Sequence, residues 1–339
     1  MSGRITSAEV ARRAGVSQSA VSRVFTPGAS ASPATAAKVR KAAAELGYRP
    51  NVLARAMVSG RSRIIGLVVA YLENHFYPAA LEKLSNALQT QGYHVLIFMA
   101  SQTAKNIDTV VEEILDYQVD GIIAASVALS SDLAQRCKAA GVPVVFFNRT
   151  QEGHGSSAVM SNNRAGGRRV GELLVAGGHK RIAHIAGWEG ASTQIERELG
   201  FREALSAAGM TLHARAVGNF VMEQARDAAR SMFSGPDRPD AVFVANDYMA
   251  FGVMDVLRTE LGLSVPDDVS VVGFDDVPTA GWAAYDLTTV RQRANLMVEK
   301  TVELLLEQIE NPDAPTLELF IESPLVLRGS ARIPNDWTP

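Results

Sequence analysis

A single cysteine in 339 residues, Cys137, rules out an intrachain disulfide. A fold stapled for an oxidising compartment is therefore excluded, and a reducing cytoplasm is the expected setting. The six histidines and the one thiol show no metal-ligand spacing, so no metal site is expected. No apolar run has the length needed to span a bilayer, and the opening MSGRITSAEV has no signal-peptide hydrophobic core; no membrane partner is expected. There is no G-x-G-x-x-G after a strand, no P-loop and no G-x-S-x-G. Without them the chain offers no handle for nucleotide chemistry or nucleophilic catalysis. Neither an enzyme nor a cofactor is expected.

Acidic residues are scarce in one region only. Up to Arg63 there are eleven Lys or Arg against Glu9 and Glu45, a net charge of +9. The remainder holds 22 basic and 34 acidic residues, a net of −12, which the overall −3 conceals. A small basic head on an acidic body suits a polyanion-binding module joined to a different working part.

The head carries a motif, ITSAEVARRAGVSQSAVSRVF, from Ile5 to Phe25. Thr6 and Glu9 form a capping box for a first helix, with Val10 and Ala14 on one face. Gly15 permits a sharp exit, and Ser17 caps a second helix from Gln18 to Phe25 whose Val21 and Val24 point inward. Two short helices so joined form a helix-turn-helix, the second helix facing a DNA major groove. Its solvent side bears Gln18, Ser19, Ser22 and Arg23, short or forked hydrogen-bonding groups suited to base edges and phosphates. A third helix starts at Ser32-Pro33, buries Val39, Ala43 and Leu46, and stops at Gly47.

This stretch resembles the DNA-binding head and hinge of the LacI/GalR family of bacterial transcription regulators. The matching residues are AGVS at Ala14–Ser17, VSRV at Val21–Val24, ELGYRPN at Glu45–Asn51, ARAM at Ala54–Met57 and GRS at Gly60–Ser62. The similarity continues nearly to Leu327. It implies that Thr6, Ser17, Gln18, Ser19, Ser22 and Arg23 contact double-stranded operator DNA, with Asn51, Ala54 and Met57 from a hinge segment. Asn51 can cap a helix over Val52–Ser59, too short to be stable alone in water. In the family that segment folds against its dimer mate in the minor groove, where a leucine wedges a base step. Here Met57 holds that place, an apolar and flexible substitute.

Beyond Arg63 apolar runs of strand length recur: IIGLVVA from Ile64, HVLIFMA from His94, GIIAA from Gly121, VPVVFF from Val142, RIAHIAG from Arg181, AVFVA from Ala241 and VSVVGF from Val269. Amphipathic stretches lie between them: Pro78–Gln91, Ile107–Tyr117, Ser130–Ala140, Arg164–Ala176, Ile195–Ala208 and Asp247–Glu260. Continuous apolar strands alternating with helices predict parallel sheets covered on both faces. The fold class is thus an all-α helix-turn-helix head plus an α/β core of doubly wound parallel sheets in two lobes, similar to periplasmic sugar-binding proteins.

Ligands bind at the carboxyl ends of strands in such sheets. Those ends carry Tyr71, Asn74, His75, Phe76 and Tyr77, then Ser101, Ser126, Asn148-Arg149, Trp188, Asn246-Asp247 and Asp275-Asp276. Amide, guanidinium and carboxylate groups among aromatics suit a polyhydroxylated small molecule; Asp247 and Asp276 read as helix caps. The family resemblance implies effector contacts at Arg197 (within ERELGF), Asn246, Asp275, Phe76, Phe220 and Trp282. Asn74, Asn148, Asn162 and Thr193 complete the expected set. At Asn162 the family's frequent Asp-Asn pair is Asn162-Asn163, an amide in place of a carboxylate, which adds donors.

The expected domains are a head over 1–48, a hinge over 49–63 and an effector-binding, dimerising core over 64–339. Lobe one spans about 64–161 plus 292–323, with a helix over Ala294–Ile309; lobe two spans about 162–291 plus 324–330. RGSARIPNDWTP after Leu327 lacks the leucine heptads that make some relatives tetrameric, so a homodimer is expected. The function expected is a cytoplasmic repressor whose operator affinity is set by a small carbohydrate-like effector. The alternative is a constitutive or partner-regulated DNA-binding protein with a vestigial cleft.

Overall fold

A computed structural model describes residues 5–26, 29–49, 61–100, 104–125, 127, 131–150, 155–335 and 337. The chain divides into two compact units, Met1–Arg63 and Ile64–Pro339.

In the first unit the helices are α1 (Ser7–Ala14), α2 (Gln18–Phe25) and α3 (Pro33–Leu46). The capping box is complete: Glu9 N donates to Thr6 Oγ1 at 3.3 Å and Thr6 N to Glu9 Oε2 at 2.7 Å. Gly15 ends α1 at φ 69°, a left-handed conformation that glycine adopts without steric cost. Ser17 and Ser32 accept from Ala20 N and Thr35 N, capping α2 and α3. Val10, Val21 and Val39 meet at the centre with Ala11, Ala42 and Ala43. Leu46 and Val24 pack at the margin of this cluster, only partly buried, and Ala42 takes the inner place. Each central valine contributes about 1.5–3 kcal/mol by leaving water. Arg13 Nε donates to Glu45 Oε2 at 2.9 Å, pinning α1 to α3. The expected hinge helix over Val52–Ser59, with Asn51, Ala54 and Met57, lies outside the described residues.

The second unit alternates strand and helix: β1 (Ile64–Val69), α4 (Phe76–Thr90), β2 (His94–Met99), α5 (Ala104–Asp116), β3 (Gly121–Ala125), α6 (Ser131–Ala139), β4 (Val144–Phe147), β5 (Ser157–Ser161) and α7 (Asn163–Ala176). Then come β6 (Ile182–Ala186), α8 (Ser192–Ala207), β7 (Ala214–Val217), α9 (Met222–Phe233), β8 (Ala241–Val244), α10 (Asp247–Asp255) with a π-turn Val256–Glu260, β9 (Ser270–Asp275), a 3-10 turn Pro278–Gly281 and β10 (Thr288–Arg291). The chain closes with α11 (Ala294–Glu310), β11 (Glu318–Ile321) and β12 (Leu325–Val326). Among the described residues these strands form two sheets, ordered β11-β5-β4-β3-β1-β2 and β12-β10-β9-β8-β6-β7. All neighbours run parallel except β10 and β12.

The long apolar strands fit the parallel-sheet expectation: every residue of IIGLVV, GIIAA and SVVGFD is buried. Edge strand β2 departs from it: among the described residues nothing covers one of its faces, and Ile97 and Met99 stand 54% and 51% exposed. The chain leaves the first sheet after Ser161, returns through Gln292, and crosses a third time between Ile321 and Leu325.

Helices α7 and α8 press together through glycines. A Cβ at Gly167 would overlap the carbonyl oxygen of Arg197, and one at Gly200 the carbonyl of Arg164. Arg164 and Arg168 both pair with Glu203 across the same seam.

Candidate functional site

On the head, Gln18, Ser19, Ser22 and Arg23 are exposed along α2, flanked by the exposed caps Thr6 and Ser17. Their side chains are held by neighbours. Gln18 Nε2 donates to Ser7 Oγ at 2.9 Å, the Ser17 and Ser19 hydroxyls bond at 2.9 Å, and Arg23 Nε reaches Ser19 O at 3.4 Å. The face mixes donors, acceptors and one guanidinium, the chemistry needed at base edges and phosphates.

In the core, the carboxyl ends of both sheets face one cleft. Tyr71, Asn74, Tyr77, Asn148 and Arg149 line it from the first sheet; Thr193, Arg197, Phe220, Asn246 and Asp275 line it from the second. They leave a cavity of only about 10 Å³ between them, far below the ~300 Å³ at which ligand pockets commonly begin. A ligand must therefore displace side-chain contacts already made across the gap. One is Asn74 Nδ2 donating to Asp275 Oδ2 at 2.9 Å; another joins His75 Nδ1 and Thr279 Oγ1 at 3.0 Å.

Arg197 is buried, its Cζ 3.7 Å from the Phe274 ring centroid. Its Nε donates to Asn163 Oδ1 at 2.9 Å and Nη1 to Ala245 O at 2.6 Å, while Nη2 lies 3.5 Å from Asp275 Oδ1. Burial raises the Asp275 carboxyl, against the opposing pull of Arg197, Asn74 and Gln292. Asn148 Nδ2 donates to Tyr77 Oη at 3.0 Å. Asn148 Oδ1 and Asn246 Nδ2, both buried, have no hydrogen-bond partner among the described residues. Asn148, Phe220 and Asp275 hold positive φ of 69°, 60° and 129°. Such backbone strain persists where surroundings over-determine it, and it gathers at functional sites.

Seven of the ten expected effector residues thus line the cleft: Asn74, Asn148, Thr193, Arg197, Phe220, Asn246 and Asp275. Three do not. Phe76 opens α4 and turns into the core, stacked on Phe147 at 6.1 Å. Asn162 caps α7 by accepting from Ala165 N at 3.1 Å. Trp282 follows the 3-10 turn and is 61% exposed. Tyr71, Tyr77 and Arg149 join instead: Tyr71 and Arg149 follow the ends of β1 and β4, and Tyr77 lies in the first turn of α4.

Asp247 and Asp276 correct the cap expectation. Asn246 caps α10 through Met249 N. Asp247 is fully buried, accepting from Thr289 Oγ1 at 2.5 Å and Val277 N at 3.0 Å. Burial, then the charge of Asp275, pushes its carboxyl up to about 8. Asp276 clamps Arg291 and Arg328 at 2.5 and 2.6 Å. Behind Arg197, the buried His184 has Nδ1 2.9 Å from Phe243 O and Nε2 3.1 Å from Gln194 Nε2. Gln194 also accepts from Gly187 N at 2.6 Å and donates to Glu198 at 2.8 Å, fixing a loop beside Phe220. Burial holds His184 down to about 4, outweighing nearby Glu198. It is neutral at pH 7.

A larger hollow of about 160 Å³ opens at the amino ends of β4 and β5, lined by Val142, Pro143, Val144, Gln308 and Pro312. Among the described residues Lys138 is its one ionic side chain, and convergent polar groups are found instead in the smaller cleft. Among the described residues no group of His, Cys, Asp or Glu could hold a metal ion, and no helix is long and apolar enough to cross a membrane.

A capped helix-turn-helix head with an exposed polar face, in one chain with a two-sheet core whose strand ends meet at a polar cleft, defines a ligand-sensing DNA-binding regulator. Residues 6–51 match the model of bacterial regulatory proteins of the lacI family, and residues 172–331 the periplasmic binding protein-like domain. The ribose operon repressor of Escherichia coli (strain K12) is 31% identical, covering 96% of this chain and 99% of its own. Among solved structures, the transcriptional regulator CelR–cellobiose complex aligns at 32% identity and a TM-score of 0.73, over 97% of this chain and 100% of that one. The Lac repressor dimer bound to operator and the anti-inducer ONPF aligns at 29% identity and a TM-score of 0.87, over 97% and 99%. The chain belongs to the lacI family of bacterial regulatory proteins and is a DNA-binding transcriptional regulator.

Proposed function

We propose that this protein is a cytoplasmic repressor that binds operator DNA as a homodimer and is controlled by a small polyhydroxylated metabolite of the carbohydrate class. Gln18, Ser19, Ser22 and Arg23 read the major groove, with Thr6 and Ser17 on the phosphates and Asn51, Ala54 and Met57 in the minor groove. The exposed Ile97, Met99 and Trp282 are candidates for the dimer face, since apolar groups left uncovered in one chain gain most from a partner. The effector sits among Asn74, Asn148, Thr193, Arg197, Phe220, Asn246 and Asp275.

The observation that carries this reading is the pair of open valences in the cleft. Asn148 Oδ1 needs a donor and Asn246 Nδ2 needs an acceptor, and hydroxyl groups supply both. Aromatic Phe220 and Tyr71 offer faces to C–H patches. The relatives named above handle such molecules: one is a ribose operon repressor and another is bound to cellobiose.

The test is thermal shift against a sugar panel that includes ribose and cellobiose, followed by operator release with each hit. A compound that raises the melting temperature and changes operator affinity supports the reading. A panel without any stabiliser favours the constitutive or partner-regulated alternative. Turnover of a stabilising compound would instead point to an enzyme.

A further inference from the structure

Five buried residues near the cleft close a ring of polar contacts. Ser161 Oγ donates to Gln292 Oε1 at 2.7 Å, and Gln292 Nε2 donates to Asp275 Oδ1 at 2.7 Å. Asp275 Oδ1 lies 3.5 Å from Arg197 Nη2, and Arg197 Nε donates to Asn163 Oδ1 at 2.9 Å. Asn163 Nδ2 then donates to Ser161 O at 3.0 Å, returning to the start. All five are buried, so each bond is shielded from water and a missing partner leaves an unsatisfied group.

The ring joins two kinds of place. Arg197 and Asp275 line the cleft, whereas Ser161 and Gln292 lie where the chain passes between the sheets. Asn163 opens α7, and α7 reaches the third crossing through Arg169 Nη1, which donates to Ser323 O at 3.1 Å. Neither Asn163 nor Gln292 lines the cleft.

We propose that Ser161, Asn163 and Gln292 are positioning residues that fix the orientation of Arg197 and Asp275 from the crossings. This rests on the effector site proposed above. A carboxylate has a limited set of lone pairs, and Asp275 already accepts from Gln292 and from Asn74 of the opposite lobe. A hydroxyl that donates to Asp275 competes with these bonds, and the competition is felt at Gln292 and then at Ser161.

The prediction can be checked on the full chain with no added compound, by NMR of arginine Nε–H groups. Wild-type Arg197 Nε–H should exchange slowly with solvent. Asn163→Ala, which removes its acceptor, should speed exchange most. Gln292→Met does not touch Arg197 Nε, yet should speed exchange at least tenfold and shift the resonance. Ser161→Ala removes one hydroxyl at the far side of the ring and is the mild variant should Gln292→Met fail to fold; it should produce a smaller shift in the same direction. Arg202→Met, on the same helix but outside the ring, should leave Arg197 unchanged. The proposal is overturned if only Asn163→Ala moves the Arg197 signal, because Arg197 is then fixed by its own partner alone. It is also overturned if Arg202→Met moves it equally, which would report general loosening. A sugar panel that yields no binder counts against the effector site and leaves this measurement standing.

Discussion

The head and the core place their working side chains in opposite settings. On α2 the groups proposed to read DNA are exposed, while three valines beneath them hold the helices together. In the cleft the proposed contacts are themselves buried and bonded to one another, Arg197 to Asn163 and Asp275, Asp275 to Gln292 and Asn74. Base reading by Gln18, Ser19, Ser22 and Arg23 is separable from folding, since these exposed side chains can change without leaving a buried group orphaned, whereas Thr6 and Ser17 also cap the helices. Recognition in the cleft is part of the folded interior, and each contact there serves stability as well as binding.

The contrast can be broken first at its buried end. Arg197→Ala leaves the Asp275 carboxyl buried without its guanidinium and should cost the core about 3–5 kcal/mol, read as a lower urea midpoint, while helicity of the head persists. A loss below about 1 kcal/mol would mean that the pair behaves like a surface ion pair. The pH dependence comes next. Burial and Asp275 raise Asp247 to about 8, so the folded core keeps a proton that the unfolded chain releases near pH ~4. Its contribution to stability is complete below that pH and is lost as pH rises through about 8, at up to about 1.4 kcal/mol per pH unit. His184, held down to about 4 by burial, has the opposite sign: stability falls as pH drops from ~6.5 toward that value. Asp247→Asn should abolish the alkaline loss in urea unfolding between pH 5 and 9; an unchanged slope would place the proton elsewhere.

On the exposed side, Gln18→Ala or Arg23→Ala should change operator preference and cost about 1–3 kcal/mol per lost bidentate base contact, with melting of the head unaltered. An Arg23→Ala protein that keeps its sequence preference in operator selection, losing only general affinity, would assign Arg23 to phosphates. The smallest effect is expected from Thr6→Ala, which removes half of the capping box and should cost the head about 1 kcal/mol. Circular dichroism melting of the head and core transitions would show whether the core ignores it.

The elements legible in the sequence are those with a dense local signal. Thr6, Ser17, Ser32, Gly15 and Gly47 mark the head's helix boundaries because caps act over three or four residues. Runs such as IIGLVV announce buried strands. By contrast β5 (SAVMS), β7 (ARAV), β10 (TTVR), β11 (ELFI) and β12 (LV) are short and carry polar residues, and they are defined by their neighbours in the sheet. Helix α9 escapes notice because it buries only Ala225, Ala229 and Phe233. In the cleft, position after a strand points to Tyr71, Asn74, Tyr77, Asn148, Arg149, Asn246 and Asp275, whereas the family resemblance is what singles out Arg197 and Phe220, which lie in or beside helices. Nothing in a linear pattern separates Phe76, turned into the core, from Tyr77 beside it. Asp247 resembles a cap by its place after a strand; only the long-range bonds to Val277 and Thr289 reveal its role.

The backbone-tight seam of α7 and α8 carries a consequence for anyone refitting this protein as a biosensor. With Gly167 against the Arg197 carbonyl and Gly200 against the Arg164 carbonyl, neither helix can slide along the other without a steric clash. The seam therefore acts as a fixed datum from which the depth of Arg197 in the cleft is measured. Libraries aimed at new inducers should vary Asn148, Thr193 and Phe220 and leave Gly167 and Gly200 untouched. Changing either glycine would shift the ruler along with the measurement.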